Sequence, residues 1–187
     1  MGYVGLSLRL ALAGVFLLSA LGKARDRAAF VTAVRRIGRV RGRRAPTVVA
    51  VLVAAGEAAA ALTLPWPSTA PYGLALAGTL LVAFTVALGV AVRAGTGEPC
   101  ACFGSSPAPV APRHLVRNAV LLAAVLVASL PVRGAVPAPV ESYGVPEVVA
   151  CLLAAAAVTV PVAALDRLTE LLGPLWPFPR PGGNRTG

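Results

Sequence analysis

Long apolar runs, each near the length needed to cross a bilayer, constrain this chain more than any other feature. Read by run length, they cover residues 4–22, 46–64, 72–92, 114–131 and 145–165. A membrane-spanning helix needs about 20 predominantly apolar residues. Five such runs leave no length for a separate soluble catalytic domain. Composition agrees: 57% of residues are hydrophobic, 13% are charged, and mean hydropathy is +0.79. These values exclude a disordered chain and a disulfide-stapled miniprotein. The expectation is an all-α integral membrane protein.

The boundaries carry local signals. Pro46 suits the first turn of the second helix, where a missing N–H costs nothing. Leu64-Pro65-Trp66-Pro67 closes that helix and leaves a Trp at interface depth. Arg117 and Asn118 interrupt the start of the fourth run, the weakest. The fifth contains Pro161 and continues as a short amphipathic stretch to residue 172, with Gly173 and Pro174 as its stop and residues 173–187 as a tail. The first run has its basic cluster after it, the reverse of a secretory signal, and is read as a retained span.

Net charge is +10, and its distribution decides its meaning. Lys23, Arg25, Arg27, Arg35, Arg36, Arg39, Arg41, Arg43 and Arg44 all lie between the first two runs. Nucleic acid is not expected as a partner, because no aromatic platform for bases accompanies the charge. Membrane lipid is expected. With five spans, nearly all basic residues fall on one side, and the positive-inside rule puts the N-terminus outside and the C-terminus in the cytoplasm of a bacterial-type inner membrane. Residues 26–40 read as an interfacial amphipathic helix, with Phe30, Val34 and Ile37 at helical spacing. Arg35, Arg36 and Arg39 are its anchors to anionic headgroups, and Lys23 is read as snorkelling there.

Two features carry chemistry. Cys100 and Cys102 sit one residue apart in a loop bounded by Pro99 and Gly104. A disulfide needs Cα atoms about 4.4–6.8 Å apart, which an extended i, i+2 pair barely meets. Such a bridge would be strained and readily exchanged. Arg93, His114 and Arg117 lie near in sequence and would favour a thiolate. The alternatives are two plain small residues, or a three-ligand metal site with His114. The spacing matches no common zinc pattern, so no metal is assigned. The second feature is Arg9 and Glu57 inside the first two spans. Taking residues 22 and 46 as level puts Arg9 beside Glu57, as an ion pair that packs the helices or as the wall of a polar cavity for a quinone or a proton.

Taken in order, these motifs resemble the MauE branch of the DoxX-like membrane proteins, the methylamine utilisation protein MauE family. The resemblance rests on Arg9 and Lys23, Phe30, Glu57, Ala83-Phe84-Thr85, Cys100-Ala101-Cys102-Phe103-Gly104 and Arg117-Asn118, over about residues 1–131. Where the family usually has Gly between the cysteines, this chain has Ala101. The resemblance implies a four-helix DoxX-like transmembrane bundle, here with a fifth C-terminal helix over 145–172. It implies a redox role, a component of thiol–disulfide oxidoreduction. Cys100 and Cys102 would exchange with a thioredoxin-like partner, as in maturation of methylamine dehydrogenase or other exported disulfide proteins. A non-enzymatic assembly factor and a quinone-binding or small-molecule-binding subunit are the alternatives. One conflict remains: the charge count places the cysteine loop on the cytoplasmic side, whereas exported disulfides lie outside. A relay across the membrane, a re-entrant loop or an inverted topology would each resolve it.

Overall fold

The computed structural model describes residues 2–94, 112–130, 144, 146, 149–157 and 159–160. The named helices are α1 (Gly2–Arg25), α2 (Arg27–Arg36), α3 (Ala45–Thr63), α4 (Ala70–Arg93) and α5 (Pro112–Ser129). No strand occurs among the described residues. Among the described residues, three segments are long and apolar enough to cross a membrane: Gly5–Arg25, Ala45–Thr63 and Ala70–Arg93. All four helices expected within the first 131 residues are present, with ends shifted by no more than three residues.

Local chemistry explains the boundaries. Pro46 and Pro71 stand in the first turns of α3 and α4, where proline is preorganised for helix. The α3–α4 turn is tied by Trp66, whose carbonyl accepts from Thr69 N and Ala70 N, and by Thr69 Oγ1, which donates to the Thr63 carbonyl at 2.8 Å. Trp66 itself is exposed, as a residue at the bilayer interface should be.

α1 packs on α3, α3 on α4, α4 on α5, and α5 returns to α1. At the centre, Leu12 and Phe16 of α1 meet Ala60 and Leu64, Ala77 and Leu81, and Leu121 and Val125 of the other helices. Ala60 and Ala77 are fully buried; their small side chains let backbones approach closely. Gly73 is the tight point between α3 and α4. A Cβ there would stand 2.7 Å from Thr63 Oγ1 and 3.0 Å from Leu64 N. Gly73→Ala must therefore push apart the α3–α4 hairpin, at a cost of about 1–3 kcal/mol. A melt in detergent checks this, and an unchanged midpoint would contradict the packing.

The outside of the bundle is apolar. Leu52, Leu62 and Leu126 are about two-thirds exposed or more, whereas Ser19, Lys23, Glu57, His114, Arg117 and Asn118 are buried. A water-soluble bundle would show the opposite arrangement. Residues 149–157 and 159–160 are helical. Thr159 Oγ1 donates to the Ala11 carbonyl at 3.2 Å, and Cys151 and Ala155 are buried. The expected C-terminal helix therefore exists in part and packs on α1; residues 161–187 lie outside the described residues.

α2 covers one end of this assembly. Asp26 caps it by accepting from Ala29 N at 3.1 Å, and Phe30 docks on Ala50 of α3, with Val34 and Val53 beside them. The interfacial helix expected from periodicity is present, shorter than residues 26–40. Losing the Asp26 cap should cost about 1 kcal/mol. Asp26→Ala should raise amide exchange across Arg27–Arg36 about fivefold and leave exchange in α3 unchanged.

Candidate intramembrane polar site

Buried polar side chains converge from three helices, α1, α3 and α5. Ser19 and Lys23 lie one turn apart on α1 and share a face. Lys23 Nζ reaches Ser19 Oγ at 2.6 Å and the two Glu57 oxygens at 2.7 and 2.9 Å, while Ser19 Oγ donates to Glu57 Oε1 at 2.9 Å. An ammonium has three donors, and three oxygens meet them. Lys23 is 2% exposed and Glu57 is 0% exposed. The Phe30 and Phe84 ring centroids lie 5.1 and 5.3 Å from Nζ, within cation–π range. One helix face, one opposing carboxylate and two rings thus enclose a single charge pair.

This corrects two expectations. Glu57 pairs with Lys23, not with Arg9, whose Nε donates to the Gly5 carbonyl one turn back at 3.2 Å. Lys23 is buried rather than snorkelling to the headgroups. The physical reason is a stagger of α1 against α3. Lys23 lies two residues from the end of α1, but Glu57 lies twelve residues into α3, about 18 Å along its axis. Residues 22 and 46 are therefore not level. Side chains tilt toward the N-terminus of their own helix, so in this antiparallel pair Lys23 and Glu57 lean toward each other across the offset. Arg9, about 21 Å farther along α1, is carried away from Glu57.

α5 supplies the facing wall. His114, Arg117 and Asn118 are buried, and Asn118 Nδ2 stands 3.5 Å from Thr85 Oγ1 of α4, a long contact. Between Ser19 and Glu57 on one side and Arg117 and Asn118 on the other lies a cavity of about 20 Å³, also touched by Phe84. That is room for about one water. Among the residues expected to tune a thiolate, the structure brings together His114 and Arg117. Arg93 is exposed at the end of α4, eight residues or about 12 Å beyond Thr85. Arg35, Arg36 and Arg39 are exposed on α2 and the turn after it, as anchors to a membrane surface require. Cys100 and Cys102 lie outside the described residues. Among the described residues, no group of three His, Cys, Asp or Glu side chains forms a metal site.

Ser19 and the two phenylalanine rings join the site only in the folded structure. The i, i+4 spacing of Ser19 and Lys23 was the available signal, because it places a hydroxyl and an ammonium on one helix face. Nothing in the linear sequence ties Phe84 to Lys23, since only the packing of α4 on the bundle brings them together.

Apolar helices facing outward around an inward-facing charge pair define an α-helical integral membrane protein. The chain belongs to the MauE family: the family model described as methylamine utilisation protein MauE matches residues 1–131. No curated protein and no solved structure matches it.

Proposed function

We propose that this MauE-family protein is a membrane thiol–disulfide relay in which Cys100 and Cys102 form the working pair. The observation that carries this reading is the inward burial of His114 and Arg117 in the first turns of α5, immediately after the connection bearing both cysteines. Guanidinium and imidazolium groups near a sulfur favour its thiolate, the form that attacks disulfides. The family match spans the same connection. Arg93 contributes less, being exposed at the end of α4.

The step balances as an exchange. One thiolate of the pair attacks a disulfide of a thioredoxin-like partner, forming a mixed disulfide and releasing one partner thiolate, which takes up a proton. The second cysteine of the pair, deprotonated, then displaces the other partner sulfur. The pair ends as a disulfide and the partner as a dithiol; two electrons and two protons have moved, and the reverse reaction runs through the same intermediates. The four-helix DoxX-like bundle, with the N-terminus outside, is the frame that this reading uses. Lys23 and Glu57 hold that frame, and the one-water size of the cavity beside them favours a packing role over the wall of a quinone site.

Mass-tag alkylation in native membranes tests the pair. Cys100 and Cys102 should take tags only after reduction in part of the population, and a Cys102→Ser chain should trap a mixed disulfide with a thioredoxin-like protein. Permanently reduced cysteines, with no trapped species and full function, would leave an assembly factor as the reading. Impermeant thiol reagents applied from each side assign the face, with labelling from the cytoplasmic side expected.

A further inference from the structure

The small cavity inside the polar site has polar walls on two sides. Ser19 and Glu57 face it from α1 and α3, Arg117 and Asn118 face it from α5, and Val15 and Leu81 are among its apolar walls. Two of these polar groups have bonding capacity to spare. An ionised carboxylate offers about four acceptor sites. The Glu57 oxygens accept three hydrogen bonds, Oε1 from Ser19 and Lys23 and Oε2 from Lys23, so a site at Oε2 remains. Asn118 is 3% exposed. A side-chain amide has two N–H donors and a carbonyl acceptor, yet its contact is a single long one, Nδ2 to Thr85 Oγ1 at 3.5 Å. An amide buried with so little destabilises a fold unless something else meets it.

Size and charge select the occupant. A space of about 20 Å³ admits a molecule the size of water. A cation there would face Arg117, and an anion would face Glu57. An apolar occupant would leave the amide unmet. A neutral dipole that both donates and accepts answers the carboxylate and the amide together.

We infer that this cavity is a binding site for one structural water, which donates to Glu57 Oε2 and bonds the Asn118 amide. The water joins α5 to the charge pair shared by α1 and α3. Glu57 is then the junction of three helices, held directly by Lys23 and through the water by α5. Asn118 is a positioning residue for Glu57, acting through that water. The site uses none of the thiol chemistry and stands whether or not the relay exists.

The test uses the full chain, isotope-labelled in carbon and reconstituted in lipid, with solid-state NMR polarisation passed from water protons to carbon. Glu57 Cδ and Asn118 Cγ should gain signal. Leu12 and Leu64, as deeply buried but off the cavity, should stay dark. Val15→Ile adds one methyl group to the cavity wall and expels the water. Both signals should then vanish, although Lys23, Ser19 and Arg117 keep their exchangeable protons, which separates the water from those groups as the source. The same variant should lower the folded-to-unfolded ratio in detergent about tenfold, the worth of one hydrogen bond to a charged group. A dry cavity would instead gain stability from the added methyl. Asn118→Leu should cut the Glu57 signal severalfold and leave Val15→Ile little further to remove, since the two variants act on the same water. If the Val15→Ile chain does not fold, Asn118→Leu carries the spectroscopic arm alone. Dark Glu57 and Asn118 carbons in the wild type, signals that survive Val15→Ile, a Val15→Ile chain more stable than the wild type, or a Glu57 signal untouched by Asn118→Leu would each overturn the proposal.

Discussion

Glu57→Ala is expected to destabilise the protein by about 3–5 kcal/mol, the cost of leaving one partner of a buried pair behind. Lys23 would remain with Ser19 Oγ at 2.6 Å and two aromatic rings, and neither carries the negative charge its ammonium needs. Glu57→Gln should be milder, because an amide oxygen still accepts from Nζ. Removing both charges is the informative comparison. A Lys23→Met, Glu57→Leu chain should recover most of the loss, since apolar side chains of similar volume often replace buried ion pairs at little cost. Reversible unfolding in detergent and the yield of folded protein are the measurements. A Glu57→Ala chain as stable as the wild type would show that the pair contributes nothing to the bundle. A double variant that folds well but loses thiol exchange would move Lys23 and Glu57 from the frame into the working site.

The second large effect separates the other way. Cys100→Ser with Cys102→Ser should abolish exchange with a partner disulfide, because a hydroxyl of ordinary acidity neither attacks a disulfide nor closes one. The melting midpoint should stay within the error of the wild type, since the central cluster is formed by α1, α3, α4 and α5. Transfer of two electrons to a thioredoxin-like disulfide, followed by tagging of both partners, reads the activity. Wild-type exchange by the double serine variant would dispose of the relay and leave the helical frame without its proposed chemistry. Cys151, buried in the C-terminal helix, is the internal control. It should resist tagging in folded protein and react once the bundle is opened.

Much of this architecture is legible from residue order. Helix positions in the first 131 residues follow from run length, and α2 follows from Phe30, Val34 and Ile37 recurring at helical spacing. The basic stretch and the outward face of Arg35, Arg36 and Arg39 follow from the same spacing. Less legible was the register between helices. Placing residues 22 and 46 level is the natural choice for a hairpin, but residues 26–44 contain a helix of their own. That helix lets α1 end short of the level at which α3 begins. One such slip exchanges Arg9 for Lys23 as the partner of Glu57. Arg93, grouped with His114 and Arg117 by nearness in sequence, stands exposed at the end of α4, two turns beyond Thr85.

Hydrophobicity along the chain was enough to determine that the protein lives in a membrane, where its helices run, and that charged residues inside them must meet partners. A periodic apolar pattern is a property of a segment alone, and a bilayer sorts segments by that property. Which charges meet and how small a space they leave were decided only by tertiary packing. Those outcomes depend on axial offsets of a few residues between helices, and no segment carries that information by itself.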